Sequence, residues 1–95
     1  MSIRIDKWLW HARFFRTRAA AQHAAQSGLL RLNGRRVEKP SSAVHCGDVL
    51  TIARGHEVAA VRVLAEGTHR GQASEAKTLY EYVENTALDR DAPAP

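Results

Sequence analysis

The period of the apolar pattern changes at Gly28, and that change restricts the chain to a fold that mixes helix and sheet. Before Gly28, the residues Ala21, Ala24 and Ala25 recur at helical spacing. They lie in a segment, Arg18 to Ser27, that Thr17 can cap and Gly28 can stop. After it, Leu30 and Leu32 alternate with Arg31, Asn33-Gly34 gives a strong hairpin signal, and Val37 closes a second short strand. A helix whose buried stripe is alanine lets its neighbour come close. That neighbour is a first helix from Lys7 to about Phe15, with Asp6 as its N-cap. Ile5, Leu9 and Ala12 share one side of it, flanked by Trp8 and Phe15.

Downstream the strand signals continue. Pro40-Ser41-Ser42 reads as a loop, Gly47-Asp48 as a turn, and Val49 to Ile52 and Val58 to Leu64 as strands separated by Gly55. Gly67 to Gly71 is a polar loop. Ser74 then caps a last helix that runs to about Asn85, with Ala76, Leu79, Tyr80 and Val83 as its stripe. Ninety-five residues leave room for one domain. The expected fold is α+β: a helix pair packed on a small, mainly antiparallel sheet, with a C-terminal helix. Residues 4–55 form the working unit, the strand and acidic helix of 56–86 brace it, and 87–95 form a disordered tail.

Charge follows the same division. From Met1 to Gly55 there are ten basic residues against three acidic ones, +7; from His56 onward there are four against seven, −3. The basic half is the expected working surface, and its arginines suit phosphate oxygens better than lysine does. Arg16, Thr17 and Arg18 sit at a helix start, where free N–H groups and the helix dipole already favour an anion. Arg35, Arg36 and Lys39 extend the patch from the hairpin. Charge alone does not separate RNA from DNA. Arg13 and Arg36 add to the patch or pair with Asp6 or Glu38. Trp10 and Phe14 lie four residues apart and could stack on bases; the last helix, through Leu79, Tyr80 and Val83, is expected to cover both.

Other classes are excluded on simple grounds. The longest apolar run, Val58-Ala59-Ala60-Val61, is far short of the roughly 20 residues of a membrane span, and no signal-peptide pattern opens the chain. A lone Cys46 cannot form an internal disulfide, so a cytoplasmic protein is expected. His45 and Cys46 are neighbours on a strand and point to opposite faces, so they make no nucleophile pair. The five histidines show neither an i,i+4 pair nor a cysteine partner pattern, so no metal site is expected. No cofactor and no enzymatic activity are expected either.

Several motifs then agree in order and spacing: Arg4-Ile5-Asp6, Leu9, Thr17-Arg18, Ala21, Gly28, Leu30-Arg31-Leu32-Asn33-Gly34, Val37, Pro40 and Gly47-Asp48-Val49-Leu50. From Arg4 to Ile52 the chain resembles the S-four RNA-binding domain, or αL motif. Asp6-Lys7-Trp8-Leu9-Trp10, Ala12-Arg13-Phe14-Phe15 and the segment Ala73-Ser74-Glu75-Ala76 with Leu79-Tyr80-Glu81 narrow this to the ribosome-associated heat-shock protein fifteen family. The resemblance implies binding to ribosomal RNA of the large subunit. It further implies a role at free large subunits stalled with peptidyl-tRNA, in rescue or recycling after heat stress. Carried over by position, the RNA surface is Arg4, Lys7, Arg16, Thr17, Arg18, Gln22, Asn33, Gly34, Arg35 and Lys39, with Asn33 and Gly34 chiefly shaping the turn.

A monomer is expected, with no membrane partner and no small-molecule substrate. Members of the family often continue into a basic C-terminal extension, whereas this sequence stops at Ala92-Pro93-Ala94-Pro95. A DNA-binding helix-turn-helix protein and an accessory module of an RNA-modifying system are the alternatives.

Overall fold

Both N-terminal helices end at a left-handed residue, and the sheet starts where the second one finishes. The computed structural model describes residues 2–54 and 56–83. Strand β1 (Ile3–Arg4) leads directly into α1 (Ile5–His11), and α2 (Arg18–Gln26) follows after a short turn. Helix α1 stops earlier than its apolar pattern predicts. Arg13 takes a left-handed backbone with φ 63°, Arg13 N–H donates to Trp10 O at 3.1 Å, and Phe14 N–H donates to Leu9 O at 3.0 Å. That is a Schellman motif, usually closed by glycine. Helix α2 ends likewise at Gly28, φ 81°, with Leu29 N–H on Ala24 O at 3.2 Å.

The start of α1 also differs from expectation. Arg4, not Asp6, holds the N-cap position, and Asp6 lies inside the first turn with its side chain fully buried. The free N–H groups at this end are met by a loop rather than a side chain: Ile5 N–H donates to Ser42 O at 2.8 Å and Asp6 N–H to Pro40 O at 3.3 Å. Thr17 caps α2 as predicted, its hydroxyl accepting from Ala20 N–H at 3.0 Å.

A five-stranded antiparallel sheet follows, in the order β3-β2-β5-β6-β7. Its strands are β2 (Leu30–Leu32), β3 (Arg35–Arg36), β5 (Val49–Arg54), β6 (Glu57–Val63) and β7 (Tyr80–Tyr82). Between β3 and β5, β4 (Ala43–Val44) pairs with β1 and ties the chain's start to the loop that caps α1. Asn33 and Gly34, φ 52° and 87°, both take the positive φ that a tight two-residue hairpin demands. The register sets Leu32, Leu50 and Val61 side by side, and this face packs under Ile5, Trp8, Leu9 and the alanines of α2. Trp8, placed at the flank by its sequence position, is at the centre: it is fully buried and its indole N–H donates to Ala65 O at 2.8 Å.

The C-terminal helix is much shorter than predicted. Gln72, not Ser74, caps a single turn, α3 (Ala73–Ala76), in a capping box with Glu75. A 3₁₀ turn (Lys77–Leu79) follows, and Tyr80 to Tyr82 then run as an edge strand on β6. Tyrosine at alternate positions suits a pleated edge, and the open side of β6 supplies backbone partners that a helix there would leave unmet. Val83 N–H continues the ladder to Ala60 O at 2.9 Å. Asn85 and the expected tail, 87–95, lie outside the described residues. The fold is α+β as expected, with strand in place of the end of its last helix.

Candidate nucleic-acid interface

Asp6 organises the basic surface. Its Oδ1 accepts from Arg4 Nε and its Oδ2 from Arg4 Nη2, both at 3.1 Å, and Oδ2 also accepts from Gln22 Nε2 at 3.1 Å. Arg18 Nη2 approaches the same oxygen at 3.4 Å. Arg18 and Gln22 reach it together because they are one turn apart on α2. Burial by itself pushes the Asp6 carboxyl up. Hydrogen bonds from Arg4 and Gln22 and the charges of Arg4 and Arg18 outweigh it, so the group titrates below its ordinary value. The two arginines keep 50% and 39% of their side-chain surface exposed, enough to meet a ligand while one face is held.

Further cations of the basic half are exposed. Lys7 and Arg16 are exposed, and Lys39 stands next to Pro40, whose carbonyl receives Asp6 N–H. Arg35 is exposed on the hairpin. None of these four makes an ion pair among the described residues. Helix α2, about 14 Å long at 1.5 Å per residue, separates Arg18 at one end from Gly28 at the other. Arg36 crosses that far end, so close that a Cβ built on Gly28 would fall 2.6 Å from its guanidinium. Of the predicted residues, Arg4, Arg18 and Gln22 meet at Asp6, Lys7 and Lys39 adjoin it along the chain and at the Pro40 contact, Arg16 lies two residues before Arg18, and Arg35 stands on the hairpin.

Three of the predicted residues have structural work. Thr17 spends its acceptor on the α2 cap. Asn33 donates to Asp48 Oδ1 at 3.1 Å and accepts from Val49 N–H at 2.9 Å, which pins the hairpin turn to β5. Gly34 is exposed, with open space around its Cα. Burial pushes the Asp48 carboxyl up, but the His45 N–H, the Asn33 amide and the charge of His45 bring it below its ordinary value. Arg13 and Arg36 pair with neither Asp6 nor Glu38: Arg13 donates to Gly71 O at 2.8 Å, and Arg36 lies over Gly28.

The two aromatics divide. Phe14 is buried beneath Tyr80, ring centres 4.7 Å apart, as expected of a core residue. Trp10 stays half-buried beside Arg70. Sequence reasoning missed the part played by Asp6. The available signal was an acid flanked by bases in Arg4-x-Asp6, together with Arg18 and Gln22 at one-turn spacing.

Comparison with known proteins settles the family. The S4 domain matches residues 3–50. Heat shock protein 15 of Escherichia coli K12 is 39% identical over 94 residues, covering 99% of this chain and 70% of that protein. The chain belongs to the S4-domain family, in its heat shock protein 15 branch. Another relative is the RQC P-site tRNA stabilizing factor of Listeria innocua, 31% identical over 80 residues, 82% of this chain and 86% of that one. A solved trimeric structure of Vibrio cholerae heat shock protein 15 superposes with a TM-score of 0.85 at 33% identity, covering 95% of this chain and 90% of that chain. The expectation of a monomer finds no support in this S4-domain neighbour.

Proposed function

We propose that this chain is a non-catalytic RNA-binding protein that docks on ribosomal RNA of the large subunit. In this reading it acts on free large subunits carrying stalled peptidyl-tRNA, in rescue after heat stress. Ribosome-associated RNA binding, the coarse part of the reading, is supported by the S4-domain family and by its heat shock protein 15 relatives. The name of the Listeria relative supports a tRNA beside the ribosomal RNA. Within the chain, the observation that carries the proposal is the buried Asp6, which holds Arg4, Arg18 and Gln22 together, while Lys7, Arg16 and Lys39 are exposed.

The mechanism is electrostatic docking by shape. Arginines held before contact lose little entropy on meeting phosphate, and each phosphate neutralised releases a counterion. Helix α2 does not favour DNA reading: Ala21, Ala24 and Ala25 face the core, and Arg18 and Gln22 are turned to Asp6. No helix among the described residues is long and apolar enough to cross a membrane, and the proposed place of action is the cytoplasm.

Sedimentation of the tagged protein with separated subunits and whole ribosomes, at two salt concentrations, tests the reading. The expected outcome is co-migration with free large subunits and an affinity that falls roughly a thousandfold from 50 to 200 mM salt, as six phosphate contacts require. Retained affinity for small structured RNA with no binding to any ribosomal particle would remove the large-subunit role and keep RNA binding.

A further inference from the structure

The turn between α1 and α2 is ringed by three arginines outside the surface described so far. Arg13 closes α1 from the left-handed region, where glycine is the least strained choice, so a long cationic side chain there calls for a reason beyond the turn. Its guanidinium donates to Gly71 O at 2.8 Å. In the opposite direction, Arg70 Nη2 approaches Phe15 O at 3.5 Å, and the guanidinium lies 5.9 Å from the centre of the Trp10 ring. Arg54, at the end of β5, donates to Phe14 O at 2.7 Å and sits 5.6 Å from the Phe14 ring.

Every one of these partners is neutral. Carbonyl oxygens and ring faces hold a guanidinium in place without cancelling its charge. No ion pair involves Arg13, Arg54 or Arg70 among the described residues. Glu57 stands opposite Arg54 in the β5–β6 ladder, yet Arg54 turns to Phe14 instead. One cation near the last carbonyls of α1 is ordinary helix-end chemistry. Two arriving at Phe14 O and Phe15 O, with Arg13 reaching out from the same turn to the residue after Arg70, exceed it, and like charges held together attract an anion more strongly than any one does. Arg70 adds a further sign: its Nε is buried with no partner.

We propose that Arg13, Arg54 and Arg70 form a second phosphate-binding wing for structured RNA, continuous with Arg16 and Arg18 and built partly by the C-terminal half. The wing rests on the RNA-binding reading above. It lies one length of α1, about 10 Å, from Asp6, so it meets a different stretch of backbone phosphates. The acidic C-terminal half is then part of the interface as well as its brace.

The test measures binding of the full chain to a fluorescent, structured fragment of large-subunit ribosomal RNA across a salt series, below the melting temperature of each variant. Arg54→Ala with Arg70→Ala should lower affinity roughly thirtyfold near 0.15 M salt and reduce the salt slope by about 1.8. Arg54→Lys with Arg70→Lys loses the planar contacts and keeps the charge, so its slope should stay at the wild-type value. Should the alanine pair fail to fold, Arg13→Gly carries the test, since glycine suits the turn; affinity should drop about fivefold and the slope by about 0.9. Wild-type affinity and slope in a folded alanine pair, or in Arg13→Gly, overturn the wing. If Arg16→Ala and Arg18→Ala weaken binding while the wing variants do not, the RNA reading stands and only the wing falls. If the wild-type chain binds no structured RNA, both fall.

Discussion

A buried aspartate that receives two arginines and a glutamine is the residue on which the basic surface depends. Removing its charge leaves Arg4 and Arg18 facing each other with nothing between them. Fully buried pairs lose about 3–5 kcal/mol when one partner is removed. Here both arginine side chains keep more than a third of their surface in water, so Asp6→Ala should cost less, about 1–3 kcal/mol. The sign of the pH effect follows from the lowered carboxyls. Asp6 and Asp48 both titrate below their ordinary values in the folded chain. Their stabilisation is therefore complete above the unfolded value of about 3.9 and is lost as pH falls through the lower folded values. Urea midpoints followed across roughly pH 2 to 6 should show a shallower acid limb in Asp6→Asn than in the wild type. Parallel limbs would mean that Asp6 is not what titrates.

At the scale of elements, the two helix stops make a natural comparison. Each uses a left-handed residue and a hydrogen bond from the next residue's N–H to the carbonyl five residues back, but one is Gly28 and the other Arg13. Gly28→Ala should destabilise by about 1–2 kcal/mol, because alanine resists the left-handed region and its Cβ would displace the Arg36 guanidinium. Arg13→Gly relieves the same strain while giving up the Gly71 contact, and should come within about 1 kcal/mol of wild type. Paired urea unfolding curves check both, and equal stability for all three chains would show that neither stop limits the fold. The β7 strand teaches a related point. Ala76, Leu79, Tyr80 and Val83 have helical spacing, yet the unpaired side of β6 draws Tyr80 to Tyr82 into the sheet.

Across the whole molecule, the family domain and the segment after it share one core. Strand β6 lies beyond residue 55 and contributes Val61 and Val63, both essentially buried. The carbonyl that receives the Trp8 indole belongs to Ala65, and the ring that covers Phe14 belongs to Tyr80. A chain cut after residue 55 would leave Leu50, Ile52, Trp8 and Phe14 without their cover, in a piece too small to lose much of its core. Such a fragment should show no cooperative urea transition, and its circular dichroism should be that of a largely unfolded chain. A sharp transition in the fragment would establish residues 4–55 as an independent domain.

What could be read directly from the sequence was local. The Thr17 cap, the Gly28 stop and the Asn33-Gly34 turn each depend on the backbone geometry of a few consecutive residues, and those residues state their preference wherever they stand. The motif order from Arg4 to Leu50 likewise pointed to the family and to the basic face. Tertiary structure alone decided the rest. Asp6 became the centre of the site because Pro40 and Ser42 took over the start of α1, and because α2 brought Arg18 and Gln22 to it. Arg13 met Gly71, and Arg54 and Arg70 met the turn after α1, across separations of 58, 40 and 55 residues. No local propensity encodes such meetings. They follow from burying Trp8, Phe14 and the sheet in one core, which fixes where distant charges must lie.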